Sequence, residues 1–151
     1  MGALYRVSRT THAQSTSADS ITFDIPAGRT FKVHSGEVTG MANALAAGAE
    51  MGIFRTSANG SGGTPTSLVI KPVDPNGSVP SGLTAKYGYG TQPTLEADPL
   101  VRMSYQPAGG KGRYPVLPGA PAEFWSLTAY QVSVRGIAGT PNCAVEIEFE
   151  V

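Results

Sequence analysis

Three carboxylates close the chain: Glu146, Glu148 and Glu150 alternate with Val145, Ile147, Phe149 and Val151. In an extended strand, residues two apart share a face at about 6.5–7 Å. That spacing suits an inverting glycosidase pair or a cation site. Acid–base catalysis, however, needs two carboxyls held in different environments, so that their pKa values separate. Three equivalent glutamates on one open face share one environment. The row therefore reads as a solvated face, balanced by Arg or Lys on the neighbouring strand.

Other reactive side chains are sparse. His12 falls in a polar stretch and His34 at the end of a predicted strand. Neither stands in a Ser–His–Asp arrangement, and no G-x-S-x-G elbow accompanies them; Gly60–Gly63 lacks that spacing. Gly88-Tyr89-Gly90 opens like a dinucleotide fingerprint, but Pro93 takes the third glycine's place and blocks a helix start. A turn presenting Tyr87 and Tyr89 as exposed or docking rings is the expectation. Asp74-Pro75-Asn76-Gly77 lacks the further acids of a calcium loop and reads as a β-turn. Asn59 and Asn76 each begin a glycosylation sequon, taken as accidental. Cys143, flanked by Asn142 and Ala144, has no basic neighbour to favour a thiolate and is expected to be a small buried or semi-buried residue. One thiol makes neither an internal disulfide nor a zinc site. No catalytic, cofactor-binding or metal-ligating residue is assigned, no cofactor is expected, and the chain reads as a non-enzyme.

Trp125 is the only tryptophan. Packing in the core or at a subunit interface is preferred to an exposed platform for sugar, for which Tyr87, Tyr89, Tyr105 or Tyr114 would supply further rings.

The elements that must position these residues are short strands. Residues 1–20 are polar and small towards their end and read as an N-terminal arm, with Leu4–Val7 as a possible short strand. Residues 21–151 read as one domain. Ile21, Phe23 and Ile25 alternate with Thr22 and Asp24, the period of a half-buried strand. Pro26-Ala27-Gly28 turns the chain. Phe31 and Val33 resume the alternation, and Val38 extends it. Met41–Met51 is the only stretch with helical composition; a short helix and an irregular crossover both fit it. Ile53–Ser57 reads as a strand, Ala58–Ser67 as a turn or flexible loop and Leu68–Ile70 as a short buried strand. Val101–Tyr105, Phe124–Leu127 and Gln131–Gly136 alternate as strands, and Tyr114–Leu117 suits an edge. Val145–Val151 carries the strictest alternation in the chain. Eight or nine short strands separated by Gly/Pro loops predict an all-β fold, an antiparallel β-sandwich of jelly-roll type.

The 151 residues suffice for one sizeable core. Net charge is +0 with only 15% charged residues, which argues against electrostatic binding of nucleic acid. No window is apolar enough for a membrane-spanning helix, and the first residues carry no signal-peptide pattern, so assembly in a cytoplasm is expected. Ala, Gly, Ser and Thr supply 64 of the 151 residues. An exterior built from small neutral groups can pack against another backbone without burying charge. That composition points to a standing assembly.

The polar stretch before ITFDIPAGRTFKV, the segment FRTSANGSGGTP and the closing QVSVRGIAGTPNCAVEIEFEV resemble the decoration, or cement, proteins of tailed-bacteriophage capsids and related minor virion proteins. The resemblance implies a β-sandwich, clustered as homotrimers on the outer capsid surface, that braces the major capsid protein in a virion assembled in the bacterial cytoplasm. Its partners would be coat subunits and sister copies, with no nucleic acid and no membrane. The arm would reach the coat lattice or a sister subunit through Leu4, Tyr5 and Arg6, with Trp125, Tyr87 and Tyr89 as further interface residues. A domain shortened by residues 1–16 would then stay folded and lose binding. The alternatives are a carbohydrate-binding or adhesion module of a phage tail or fibre, and another head–neck or tail structural protein.

Overall fold

A computed structural model of the chain describes residues 2–43, 47–115 and 121–151, and every helix-or-strand element among them is a strand. In chain order these are β1 (Leu4–Ala13), β2 (Asp19–Ile25), β3 (Thr30–Gly40), β4 (Ala49–Ala58), β5 (Ser61–Leu68), β6 (Lys71–Pro72) and β7 (Thr84–Thr91). They continue with β8 (Thr94–Leu95), β9 (Val101–Tyr105), β10 (Lys111–Tyr114), β11 (Ala122–Trp125), β12 (Tyr130–Ala138) and β13 (Asn142–Glu150). The first sheet runs β10-β3-β13-β1-β6, with β11 also on β3. The second runs β5-β7-β2-β12-β4-β8, with β9 also on β4. The pairings are antiparallel, and the two sheets pack face to face as the expected β-sandwich.

The chain changes sheet at each of its first steps. Strands β1 and β3 lie in the first sheet, β2 and β4 in the second. Residues 59–100 then form an insertion that carries β5 to β8 before β9 returns to pair with β4.

Alternation builds the core. Phe23 of β2 faces Phe31 of β3 and Phe149 of β13 across the sandwich, with ring centroids 4.8 and 5.0 Å away. Phe31 and Phe149 stack at 4.8 Å, and Phe124 meets Phe31 edge-on at 6.0 Å. Such offset and tilted pairs are favoured by the aromatic quadrupole. Val145, Ile147 and Phe149 are buried as the strict alternation of β13 requires. In β3 the inward positions change parity, from Phe31 and Val33 to Val38. A β-bulge explains the change: Phe149 pairs with Val33 and Glu148 with Ser35, so His34 is the extra residue.

Several expectations are corrected. Residues 1–20 are not an arm. β1 pairs along β13 from Leu4↔Glu150 to Ala13↔Asn142, and Asp19 already opens β2. Tyr5 and Val7 are core residues. Only these two positions of β1 carry an inward apolar signal, and the Ser/Thr run after them hides the strand. Removing residues 1–16 takes out a strand of the core, so the shortened domain would not stay folded. Of the turn or flexible loop expected over Ala58–Ser67, the turn is present but tight, between the end of β4 and the start of β5, and most of the stretch is strand β5. Gly62 and Gly63 there have φ of 66° and 71°, a backbone region that glycine enters without strain. Leu68–Ile70 is not a buried strand; Leu68 ends β5 and Val69 is 71% exposed. Tyr87 and Tyr89 sit within strand β7 and not in a turn. Of Met41–Met51, residues 49–51 open β4, and residues 44–46 lie outside the described residues. Tyr114 closes β10 against Gly36 of β3, while residues 116–117 lie outside the described residues. Thirteen strands, counted among the described residues, exceed the eight or nine expected because the insertion contributes four.

Candidate functional site

The carboxylate row of β13 is engaged by the neighbouring strands. Arg6 of β1 reaches Glu148 at 2.7 Å and Glu146 at 3.6 Å, and Ser8 donates to Glu146 at 3.0 Å. Glu150 accepts the Gly2 amide at 2.8 Å, meets His34 Nε2 at 3.0 Å and has Lys32 at 3.9 Å. The Gly2 hydrogen bond, then His34 and Lys32, hold the Glu150 carboxyl below its usual range. Among the described residues no three His, Cys, Asp or Glu side chains converge as a metal site.

Cys143 is buried, with Sγ 3.8 Å from His12 Nε2. Burial pushes the thiol pKa up and the imidazole pKa down, so both stay neutral and no thiolate–imidazolium pair forms. His12 Nδ1 lies 2.9 Å from the Thr10 carbonyl, which only accepts, so Nδ1 carries the proton. Nε2 then accepts from the Ser20 hydroxyl at 2.8 Å. Ser20 is buried, and Nδ1 is oriented by a carbonyl where a triad would place a carboxylate.

Two of the open clefts gather charged side chains beside an aromatic ring. The first is a groove of about 670 Å³ along β1, lined by Arg6, Arg9, His12, Lys71, Val69 and Tyr87 among others. β13 covers one edge of β1, whereas β6 pairs the opposite edge only at Tyr5 and Arg6. Beyond Arg6 that edge faces the groove with no strand on it among the described residues. An uncovered edge offers backbone donors and acceptors to an incoming chain. Arg9 lies over the Tyr87 ring at 3.7 Å and donates to the Ser20 carbonyl at 2.7 Å. Neither Arg9 nor Lys71 has a carboxylate within ion-pair distance among the described residues. Burial lowers the Arg9 pKa, the mark of a cation held partly out of water.

The second is a cleft of about 210 Å³ at one end of the sandwich, where β11 closes on β4 and β12. Trp125 lines it and is 59% exposed, which corrects the core half of the expectation for the tryptophan and leaves the subunit-interface half as it stood. Tyr130 and Gln131 are fixed at its base. Tyr130 Oη accepts the Phe31 amide at 3.1 Å and donates to the Phe124 carbonyl at 2.8 Å. Burial raises its pKa to about 12. Gln131 accepts the Gly60 amide and donates to Asp24, both at 2.7 Å.

The six residues named from sequence therefore separate. Arg6 and Tyr87 share the groove, and Trp125 belongs to the cleft. Leu4 is half-buried. Tyr5 cannot dock a partner: it is 3% exposed, and its hydroxyl donates to the Ser78 carbonyl at 3.1 Å. Tyr89 is held inward by a 2.9 Å bond to Asp24. The sequence reading missed Arg9 and Lys71 at the groove, and Arg55 and Glu96 at the cleft. No short motif joins them, and only pairing in space groups them.

No protein family matches the chain, and neither a curated protein nor a solved structure matches it.

Proposed function

We propose that this protein is a structural component of a tailed-bacteriophage virion: a capsid decoration protein that binds the outer surface of the coat lattice and braces it. In this reading it works as a homotrimer, with the major capsid protein as its partner and the virion as its location.

The observation that carries the reading is the uncovered edge of β1 beside two cations without carboxylate partners. A coat subunit can add an extended segment to that edge, with main-chain hydrogen bonds giving affinity and carboxylates meeting Arg9 and Lys71. Many such modest contacts, multiplied by particle symmetry, give firm attachment without a deep pocket. The strand order supports the same reading. β1-β13-β3-β10 facing β2-β12-β4-β9 is the order of an eight-stranded jelly roll, an architecture used by viral capsid proteins and by lectins.

The test is the protein content of purified particles. The chain is expected in gradient-purified virions at a copy number tied to coat lattice positions, and as a trimer by sedimentation. A monomer confined to the unassembled fraction of the lysate overturns the reading.

A further inference from the structure

We propose that the cleft beside Trp125 binds a single pyranose residue of a glycan, with Trp125 as the stacking platform and Arg55 and Glu96 as the hydrogen-bonding pair. The inference stands apart from the capsid reading and survives its failure, since an adhesion module would use the same cleft.

The argument rests on which groups are spent and which are free. The base of the cleft is spent. Tyr130 and Gln131 have their polar atoms committed to Phe31, Phe124, Gly60 and Asp24, so they form a rigid floor. The rim is not. The Glu96 carboxylate has no hydrogen-bond or ion-pair partner among the described residues. Arg55 reaches only the Glu123 carbonyl, at 3.4 Å. The backbones of these two residues are bonded, Glu96 N–H to Arg55 C=O at 2.9 Å, yet their side chains form no ion pair. A strong donor and a strong acceptor are thus left facing one cleft.

Trp125 supplies the third component. Phe124 points into the core, and the alternation of β11 turns the next ring outward. A broad indole face in water attracts the weakly positive C–H face of a sugar ring through its quadrupole. Glu96 accepts from sugar hydroxyls, and Arg55 donates to them, as charged groups do most strongly. Size selects the ligand: about 210 Å³ is below the ~300–1,000 Å³ of clefts for drug-sized ligands and suits one ring. A fixed floor beneath free polar groups is the preorganisation that a binding site requires.

Because Trp125 is the only tryptophan, its fluorescence reports this cleft alone. The full chain is titrated with D-glucose, D-galactose and N-acetyl-D-glucosamine at millimolar concentration, with sorbitol as an open-chain polyol. A saturable spectral change with at least one cyclic sugar and none with sorbitol is expected. Glu96→Gln and Arg55→Ala should each weaken that response about tenfold. Both side chains are exposed, so these variants should fold, and an unchanged far-ultraviolet spectrum checks that. No saturable change with any of the three sugars overturns the proposal. So does a response equal with sorbitol, or one indifferent to both substitutions. Emission that shifts with protein concentration alone overturns it too, because a second copy would then cover the ring.

Discussion

The outer faces of the two sheets begin from the same sequence pattern and meet opposite fates. On the first sheet, Glu146, Glu148 and Glu37 point outward into ion pairs at the surface with Arg6, Lys111 and Arg113. On the second, Thr22 and Ser133 also point away from the core, yet both are fully buried. The insertion of residues 59–100 covers them. β7 pairs β2 alongside, Asp19 N–H donates to Gln92, and Arg135 donates to the Pro93 carbonyl at 2.9 Å. Beneath that cover Asp19 gathers Thr22 at 2.6 Å, Ser133 at 2.5 Å and Arg135 at 2.6 Å. One polar face is solvated by water; the other is solvated by its own chain.

The energetic consequence differs accordingly. Surface pairs trade water for a partner at little net gain. A sealed pair has already lost its water, so removing one member leaves a charge with nothing to replace it. Burial raises the Asp19 pKa even though Ser133, Thr22 and Arg135 pull it down. That pair therefore fixes the position of the insertion more than it adds to stability.

Three substitutions break the comparison in descending order. Arg135→Ala strands Asp19 and should cost about 3–5 kcal/mol, read as a lower urea midpoint. Asp24→Asn comes next. Asp24 accepts from Thr84 at 2.6 Å, Tyr89 at 2.9 Å and Gln131 at 2.7 Å, with Lys86 at 3.4 Å. Its loss should cost about 1.5–3 kcal/mol at neutral pH. Burial pushes this carboxyl up, but the three hydrogen bonds and Lys86 together bring it below its ordinary value of 3.8. A depressed pKa stabilises the fold above the unfolded value and loses that contribution as the pH falls through the folded one. The wild type should therefore lose this increment progressively below about pH 4, and the gap to Asp24→Asn should close there. Glu37→Gln on the open face should change stability least, by about 0–1 kcal/mol, and less again in high salt. A Glu37 effect as large as that of Arg135 would erase the distinction.

The legibility of the sequence follows the same division. β13 is readable because strict alternation meets a face that is open to water, so Glu146 and Glu148 mean what they suggest. Thr22 and Ser133 carry the same alternation, but what covers them, Gln92 and Pro93 among it, lies about 40 to 70 residues away, and no local pattern records it. β1 was hidden for a related reason. Arg6, Ser8 and Thr10 line a groove, so the strand shows its polar side and only Tyr5 and Val7 show the core. The bulge at His34 also shifts the period of β3, so Val38 faces the core although it is out of step with Phe31 and Val33. At the candidate sites, Trp125 stands out by type but not by exposure, and Arg55 and Glu96 meet each other only through the pairing of β4 with β8.

The proposal at the centre of this account is that a partner attaches at the bare edge of β1. Hydrogen exchange on the chain, free and incorporated in virions, measures this directly. Leu4 C=O bonds Val73 N–H on the β6 side, so alternation turns the Ser8 amide to the bare edge and the Val7 and Arg9 amides to β13. The Ser8 amide should exchange quickly in the free protein and become protected on the particle, with Val7, β2 and β12 slow in both states. Ser8 exchanging equally fast in both states, with new protection elsewhere, would contradict it.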